Sequence, residues 1–93
     1  MITQTATVKA LPGKEKELAV FCAQLAKKVQ NEEGCLMCIP HVIVDDPNQV
    51  VFFEKYIDQA ALEAHNQSVN MQDAFKESAE IVESFTVVFL SEL

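Results

Sequence analysis

Val50-Val51-Phe52-Phe53-Glu54-Lys55-Tyr56-Ile57 is the stretch whose reading decides how this chain folds. Its β-branched and aromatic residues suit a pleated strand, which would set Val51, Phe53 and Ile57 on one side and Val50, Phe52 and Tyr56 on the other. Phe85 to Leu90 behaves in the same way, with Phe85, Val87 and Phe89 opposed to Val88 and Leu90. A strand with water on one face alternates apolar and polar residues; these two do not, so both faces of their sheet need cover. Helices can cover one face, and a second copy of the chain, packed sheet against sheet, is the simplest cover for the other. The alternative is that both strands are central and the extra apolar residues lie beneath a loop.

Ile2 to Lys9 sets Ile2, Gln4, Ala6 and Val8 against Thr3, Thr5 and Thr7, a period of two that predicts a first strand. Pro12-Gly13 breaks it, and from Lys14 onward Leu18, Phe21, Cys22, Leu25 and Val29 recur at helical spacing. Glu15 and Glu17 near the start, Lys27 and Lys28 near the end, and Gly34 as a stop agree with the helix dipole and with C-capping chemistry. Cys35 to Val44 predicts a second strand, and Pro40, which has no N–H for a ladder, favours the sheet edge. Asp45-Asp46-Pro47-Asn48-Gln49 is a turn by composition, joining this strand to Val50–Ile57 as a hairpin. Asp58 caps a short helix to about Gln67, with Ala61, Leu62, His65 and Val69 on one side. A further helical stretch from about Asn70 carries Met71, Phe75, Ala79 and Val82 on one stripe, and Phe85–Leu90 closes the chain. The order β-α-β-β-α-α-β is the split β-α-β pattern of α+β ferredoxin-like folds, a four-stranded antiparallel sheet with its helices on one face. No repeat or linker divides it, so residues 1–93 are expected to form one domain.

The bulk properties narrow the function. Ninety-three residues with 49% hydrophobic content can fold around one core, but a domain this small buries only about 60–65% of its unfolded surface, which again favours a partner subunit. A net charge of −7 with seven scattered basic residues argues against nucleic acid, whose binding needs clustered Lys and Arg. Met1-Ile2-Thr3-Gln4-Thr5 has no basic leader, no run approaches a membrane span, and three cysteines lack a secreted-domain pattern. The expectation is a soluble cytoplasmic protein with free thiols.

Three local patterns then align with a known family. Pro12-Gly13-Lys14-Glu15 at the first helix, Glu33-Gly34-Cys35-Leu36 at the second strand and Asp46-Pro47-Asn48 at the hairpin resemble the antibiotic biosynthesis monooxygenase domain. Glu54-Lys55-Tyr56 followed by Asp58, Ala61-Leu62 and Ala64-His65 looks like the family's stretch in which an aromatic ends the third strand and a histidine sits on the next helix. The resemblance covers nearly the whole chain and implies a dimeric α/β barrel. Members include quinol and anthrone-type oxygenases, haem-degrading enzymes and autoinducer-processing enzymes. Family members commonly carry Trp where this chain has Tyr56 and Tyr where it has Cys38, and Pro40 is unusual. The haem-degrading branch relies on a tryptophan, and this chain has none.

His65 falls on the sheet-facing side of its helix, where an imidazole could act as a base or donor near neutral pH, or could be a core residue bonded to a nearby carbonyl or carboxylate. Glu54 stands in an apolar strand and needs a partner, either a ligand or a structural ion pair with Lys9, Lys55 or a second subunit. Tyr56 shares its face and could wall a ligand site or simply pack. Phe52, Leu62, Met71 and Phe75 are the expected lining of a pocket between helices and sheet. His41 is expected at the exposed edge or a dimer rim. Cys35 and Cys38 form a C-x-x-C, but an offset of three on a strand sets them on opposite faces, against a metal or redox pair. No Gly-rich phosphate loop, dinucleotide fingerprint or His-rich metal spacing occurs, so no cofactor is implied. The resemblance implies a cofactor-independent oxygenase for a small aromatic, phenolic or quinol molecule, with His65, Tyr56 and Glu54 as the catalytic candidates. An isomerase of a small carbonyl metabolite and a non-catalytic, dimeric small-molecule-binding or stress-associated module are the rivals.

Overall fold

A computed structural model describes residues 1–93. The elements run β1 (Ile2–Ala10), α1 (Glu15–Gln30), β2 (Cys35–Ile43), β3 (Asp46–Tyr56), α2 (Gln59–Asn66), α3 (Val69–Glu77) and β4 (Val82–Leu90). The strands form one antiparallel sheet in the order β2-β3-β1-β4. This is the ferredoxin-like arrangement the sequence predicts, and Pro40 does lie on an edge strand.

Register decides what faces what. Gln4, Ala6 and Val8 of β1 stand opposite Glu54, Phe52 and Val50 of β3, and opposite Phe89, Val87 and Phe85 of β4. These residues share the helix-facing side, where Leu18, Cys22, Ala26 and Val29 of α1 meet Ala6, Ala10, Val50 and Phe52 in the core. The other side carries Ile39, Phe53, Thr5 and Val88 as one row across the four strands. No element of the chain covers that row, and Ile39 and Val88 are exposed. The apolar stripe of α1 and the double apolar pattern of β3 and β4 are thus both present, and only the helix side is closed within one chain.

Four boundaries differ from the sequence reading. The hairpin turn is only Val44-Asp45, because Asp46 already pairs with Ile43, and a register shift there absorbs Pro47 and its neighbours into β3. α3 stops at Ser78, whose carbonyl accepts from the N–H groups of Ile81 and Val82, so Val82 opens β4 instead of continuing the helical stripe. Ser68 caps α3 by accepting from Met71 N–H, which starts a new helix and turns Val69 out to solvent. Finally, a shift between Cys35 and Met37 sets Cys35 opposite Tyr56 and Cys38 opposite Glu54. Both cysteines therefore meet β3 residues of one face, and the strict alternation that would separate them fails at the irregularity.

Gly34 ties α2 to the strand ends. Its φ of +85° is a left-handed conformation, and its carbonyl accepts from Ile57 N–H at 2.9 Å. A Cβ at this position would lie 2.5 Å from Ala61 Cβ, so the close approach of α2 demands glycine on two counts. Gly34→Ala is expected to lower unfolding free energy by about 2–4 kcal/mol, the strain and the clash acting together; urea denaturation checks this, and a midpoint equal to wild type would contradict it.

Candidate functional site

The end of β3 and the inner side of α2 bring together the buried ionisable side chains Glu54, Tyr56 and His65. Glu54 and Tyr56 point to the helix side two residues apart, and the Tyr56 hydroxyl donates to Glu54 Oε1 at 2.5 Å. Asp58 caps α2 by accepting from Ala61 N–H, which fixes the helix start and sets Leu62 and His65 inward. The His65 ring lies beside that of Tyr56, with centroids 5.1 Å apart. One imidazole nitrogen, Nδ1, is 2.8 Å from Glu32 Oε1, and the other, Nε2, is 3.8 Å from Glu54 Oε1. Asn70 Nδ2 donates to the second Glu32 oxygen at 2.8 Å, so α3 holds that carboxylate in place.

A carboxylate can only accept, so the short Nδ1 contact requires Nδ1–H. In the neutral ring the lone pair is then on Nε2, on the side of Glu54 and of an adjoining cavity of about 440 Å³. That volume is in the range of pockets that hold drug-sized molecules. Phe52, Glu54, His65, Met71 and Phe75 line it. Leu62 and Tyr56 do not; both are fully buried, and Tyr56 acts on the cavity through Glu54 and through its ring contact with His65. Glu54 makes no bond to Lys9 or Lys55, since Lys9 pairs with Glu83 at 3.3 Å and Lys55 reaches Thr3 Oγ1 at 3.4 Å. His41 is exposed on β2, its Nδ1 3.1 Å from Ile39 O, and belongs to no cluster.

Two residues of this site escape the pattern reading. Glu32 follows α1 in a loop, where no periodicity marks it, although the pair Glu32-Glu33 before a required glycine is a usable signal. Gln4 stands at an inward position of β1, is 4% exposed and lines the cavity. Its polar amide among Ile2, Ala6 and Val8 was the signal. Leaving such a group unpaired costs about 1–3 kcal/mol.

The description "Antibiotic biosynthesis monooxygenase" belongs to a family model that matches residues 1–77. The chain belongs to that family. Among solved structures, protein SO0527 from Shewanella oneidensis is 32% identical, with a TM-score of 0.89 over 98% of this chain and 89% of that one. PA3566 from Pseudomonas aeruginosa is 25% identical, with a TM-score of 0.91 over 99% and 93% of the two chains. Rv0793 from Mycobacterium tuberculosis, at 20% identity and a TM-score of 0.86 over 99% and 92%, shares the fold. No curated protein matches the chain. No helix is long and apolar enough to cross a membrane.

In this antibiotic biosynthesis monooxygenase family member the thiols and the phenol near the cavity are held in their protonated forms. Burial pushes the Cys22 thiol up to about 12. Burial, and then the charge of Glu54, raises Cys38 further. Tyr56 is raised well above the usual phenol range by burial and by its bond to Glu54. Cys35 is raised chiefly by burial. Neither the thiols nor the phenol is a nucleophile at neutral pH, which leaves the imidazole and the carboxylates as the groups able to move a proton. Because the folded chain keeps protons that the unfolded chain releases near the ordinary values of 9.0 and 10.0, this contribution to stability is complete below about pH 9 and falls as pH rises toward about 12. The urea midpoint is expected to drop between about pH 9 and pH 11, and iodoacetamide to label Cys22 and Cys38 at pH 8 only after unfolding. A midpoint flat across that range, or rapid labelling of both in the native protein, would contradict the assignment.

Proposed function

We propose that the chain is a cofactor-independent monooxygenase that oxidises a small aromatic phenol or quinol with O2 in the cavity between helices and sheet. Membership of the family supports the class of reaction. The observation that carries the reading is the orientation of His65, whose Nδ1 is engaged by Glu32 while Nε2 is left beside the cavity wall. A quinol hydroxyl seated there gives its proton to Nε2, and the apolar wall of Phe52, Met71 and Phe75 favours transfer of electrons from the resulting anion to O2, itself apolar. Oxygen adds at ring carbon; the C–H and O–O bonds then break, one oxygen stays on the ring and the other leaves as water. Quinol and O2 thus give hydroxyquinone and water, and the substrate supplies all the electrons. Glu32 holds the imidazole and stabilises the cation that proton transfer creates, and Glu54, steadied by Tyr56, faces it from the other side.

The same proposal includes a homodimer formed through the outer sheet face. Ile39, Phe53 and Val88 form its apolar row, flanked by Val51 and Leu90, and burial of this patch is the reason for two chains to meet. β4 is exposed on both sides, with Phe89 at 63%, so a partner over this edge would also narrow the cavity mouth, which Phe85, Val87 and Phe89 line. The three free thiols fit a reducing, cytoplasmic setting.

His65→Ala is expected to lower kcat for a hydroquinone or anthrone by about 10²–10⁴-fold, and Glu32→Gln to lower kcat with little change in KM, because an amide in its place favours the wrong tautomer. Oxygen-electrode assays should show turnover that survives chelation and stops without O2. Activity independent of oxygen would favour an isomerase, and binding with no turnover at all would favour a non-catalytic module. Phe53→Lys is expected to turn a dimer into a monomer in sedimentation at micromolar concentration; a wild type that is itself a folded monomer would remove the dimer from the account.

A further inference from the structure

Gln4 is the one buried polar side chain at this end of the cavity that the protein does not itself use; Asn66, which also lines the cavity, is exposed. Glu54 has Tyr56, and Glu32 has His65 and Asn70. The Gln4 carboxamide makes no hydrogen bond within the chain, although the residue is 4% exposed and lies on a central strand. It is not sealed off either: the only buried side-chain atom lacking both a partner and any access is Asn48 Oδ1, elsewhere in the fold. The open direction for the amide is the cavity it lines.

Its position says what it would meet. Gln4 stands directly opposite Glu54 across the β1–β3 ladder, and side chains so paired begin about 5 Å apart and run in parallel. A ring that gives one hydroxyl to His65 and Glu54 thereby has its adjoining carbon within reach of Gln4. The amide can donate and accept, which suits a hydroxyl or a carbonyl there. No Lys or Arg lines the cavity, while Glu54 does and Glu32 stands behind His65, so a ligand carrying its own carboxylate is disfavoured. We propose that Gln4 selects the ligand, and that the site takes a neutral arene with oxygen functions on two neighbouring carbons. This rests on the cavity being the ligand site of the proposed oxygenase.

Anaerobic titration calorimetry with three naphthalenes tests it: one with adjacent hydroxyls, one with hydroxyls on opposite rings, and one with a single hydroxyl. Wild type should bind the adjacent diol on the order of tenfold tighter than the other two, and Gln4→Leu and Gln4→Met should lose that preference while unfolding at or above the wild-type temperature. Equal binding of all three by wild type, retained preference in both variants, or no binding of any probe overturns the role of Gln4. Oxygen uptake is measured separately: a preference abolished by Gln4→Leu with no oxygen consumed upholds the selectivity and rejects the oxygenase.

Discussion

A carboxylate set in the middle of an apolar sheet face is the constraint around which this structure is arranged. Glu54 sits between Phe52 and Tyr56 on β3, 4% exposed, where an isolated charge would be expensive to hold. The fold answers with the Tyr56 hydroxyl, which donates to it, and sets across from it, at 3.8 Å, the imidazole Nε2 of His65, where a proton taken up by the ring would face the carboxylate. Each needs a further element. Tyr56 is buried against α2, and His65 is held by Glu32 from the loop after α1, which α3 steadies through Asn70. Glycine at position 34 lets α2 come close enough for the arrangement to close. Removing one member therefore disturbs groups on β3, α2, α3 and the loop after α1, because buried polar networks are coupled.

The two faces of the sheet divide the work. The helix side carries a packed core that includes Ala10 and Val50 and a cavity that reaches Glu54 and Gln4, and Ala6, Cys22, Val29, Cys38 and Phe52 belong to both, so the core itself forms much of the cavity wall. The outer side carries an apolar row without cover. β4 belongs to both, since Phe85, Val87 and Phe89 face the cavity while Val88 and Leu90 face outward. An occupant of the outer side is thereby felt at the cavity through one strand.

Much of this was legible in the residues. The period of two in β1, the helical stripe of α1 and the doubled apolar pattern of β3 and β4 report burial, and burial follows from local spacing. The edge placement of β2 follows from the missing N–H of Pro40. What escaped has no local period. Glu32 and His65 are 33 residues apart, and only the packing of α2 against the loop after α1 makes them neighbours. Glu54 was legible as a buried acid needing a partner, but nearby lysines were the obvious candidates, and these turn to the opposite face or the edge. Cys35 and Cys38 were assigned to opposite faces because an ideal strand alternates; the shift at Met37 undoes that count. The end of α3 and the start of β4 are not legible locally, because Val82 fits a helical stripe as well as it fits a strand.

The hold of Glu32 on His65 Nδ1 is the claim on which the chemistry depends, and nitrogen NMR of the imidazole measures it directly. In protein at a pH where the ring is neutral, the account predicts a protonated Nδ1 and an unprotonated Nε2, a pattern that Glu32→Ala shifts toward the other tautomer. An Nε2–H tautomer in the wild type, or a spectrum indifferent to Glu32, would contradict it.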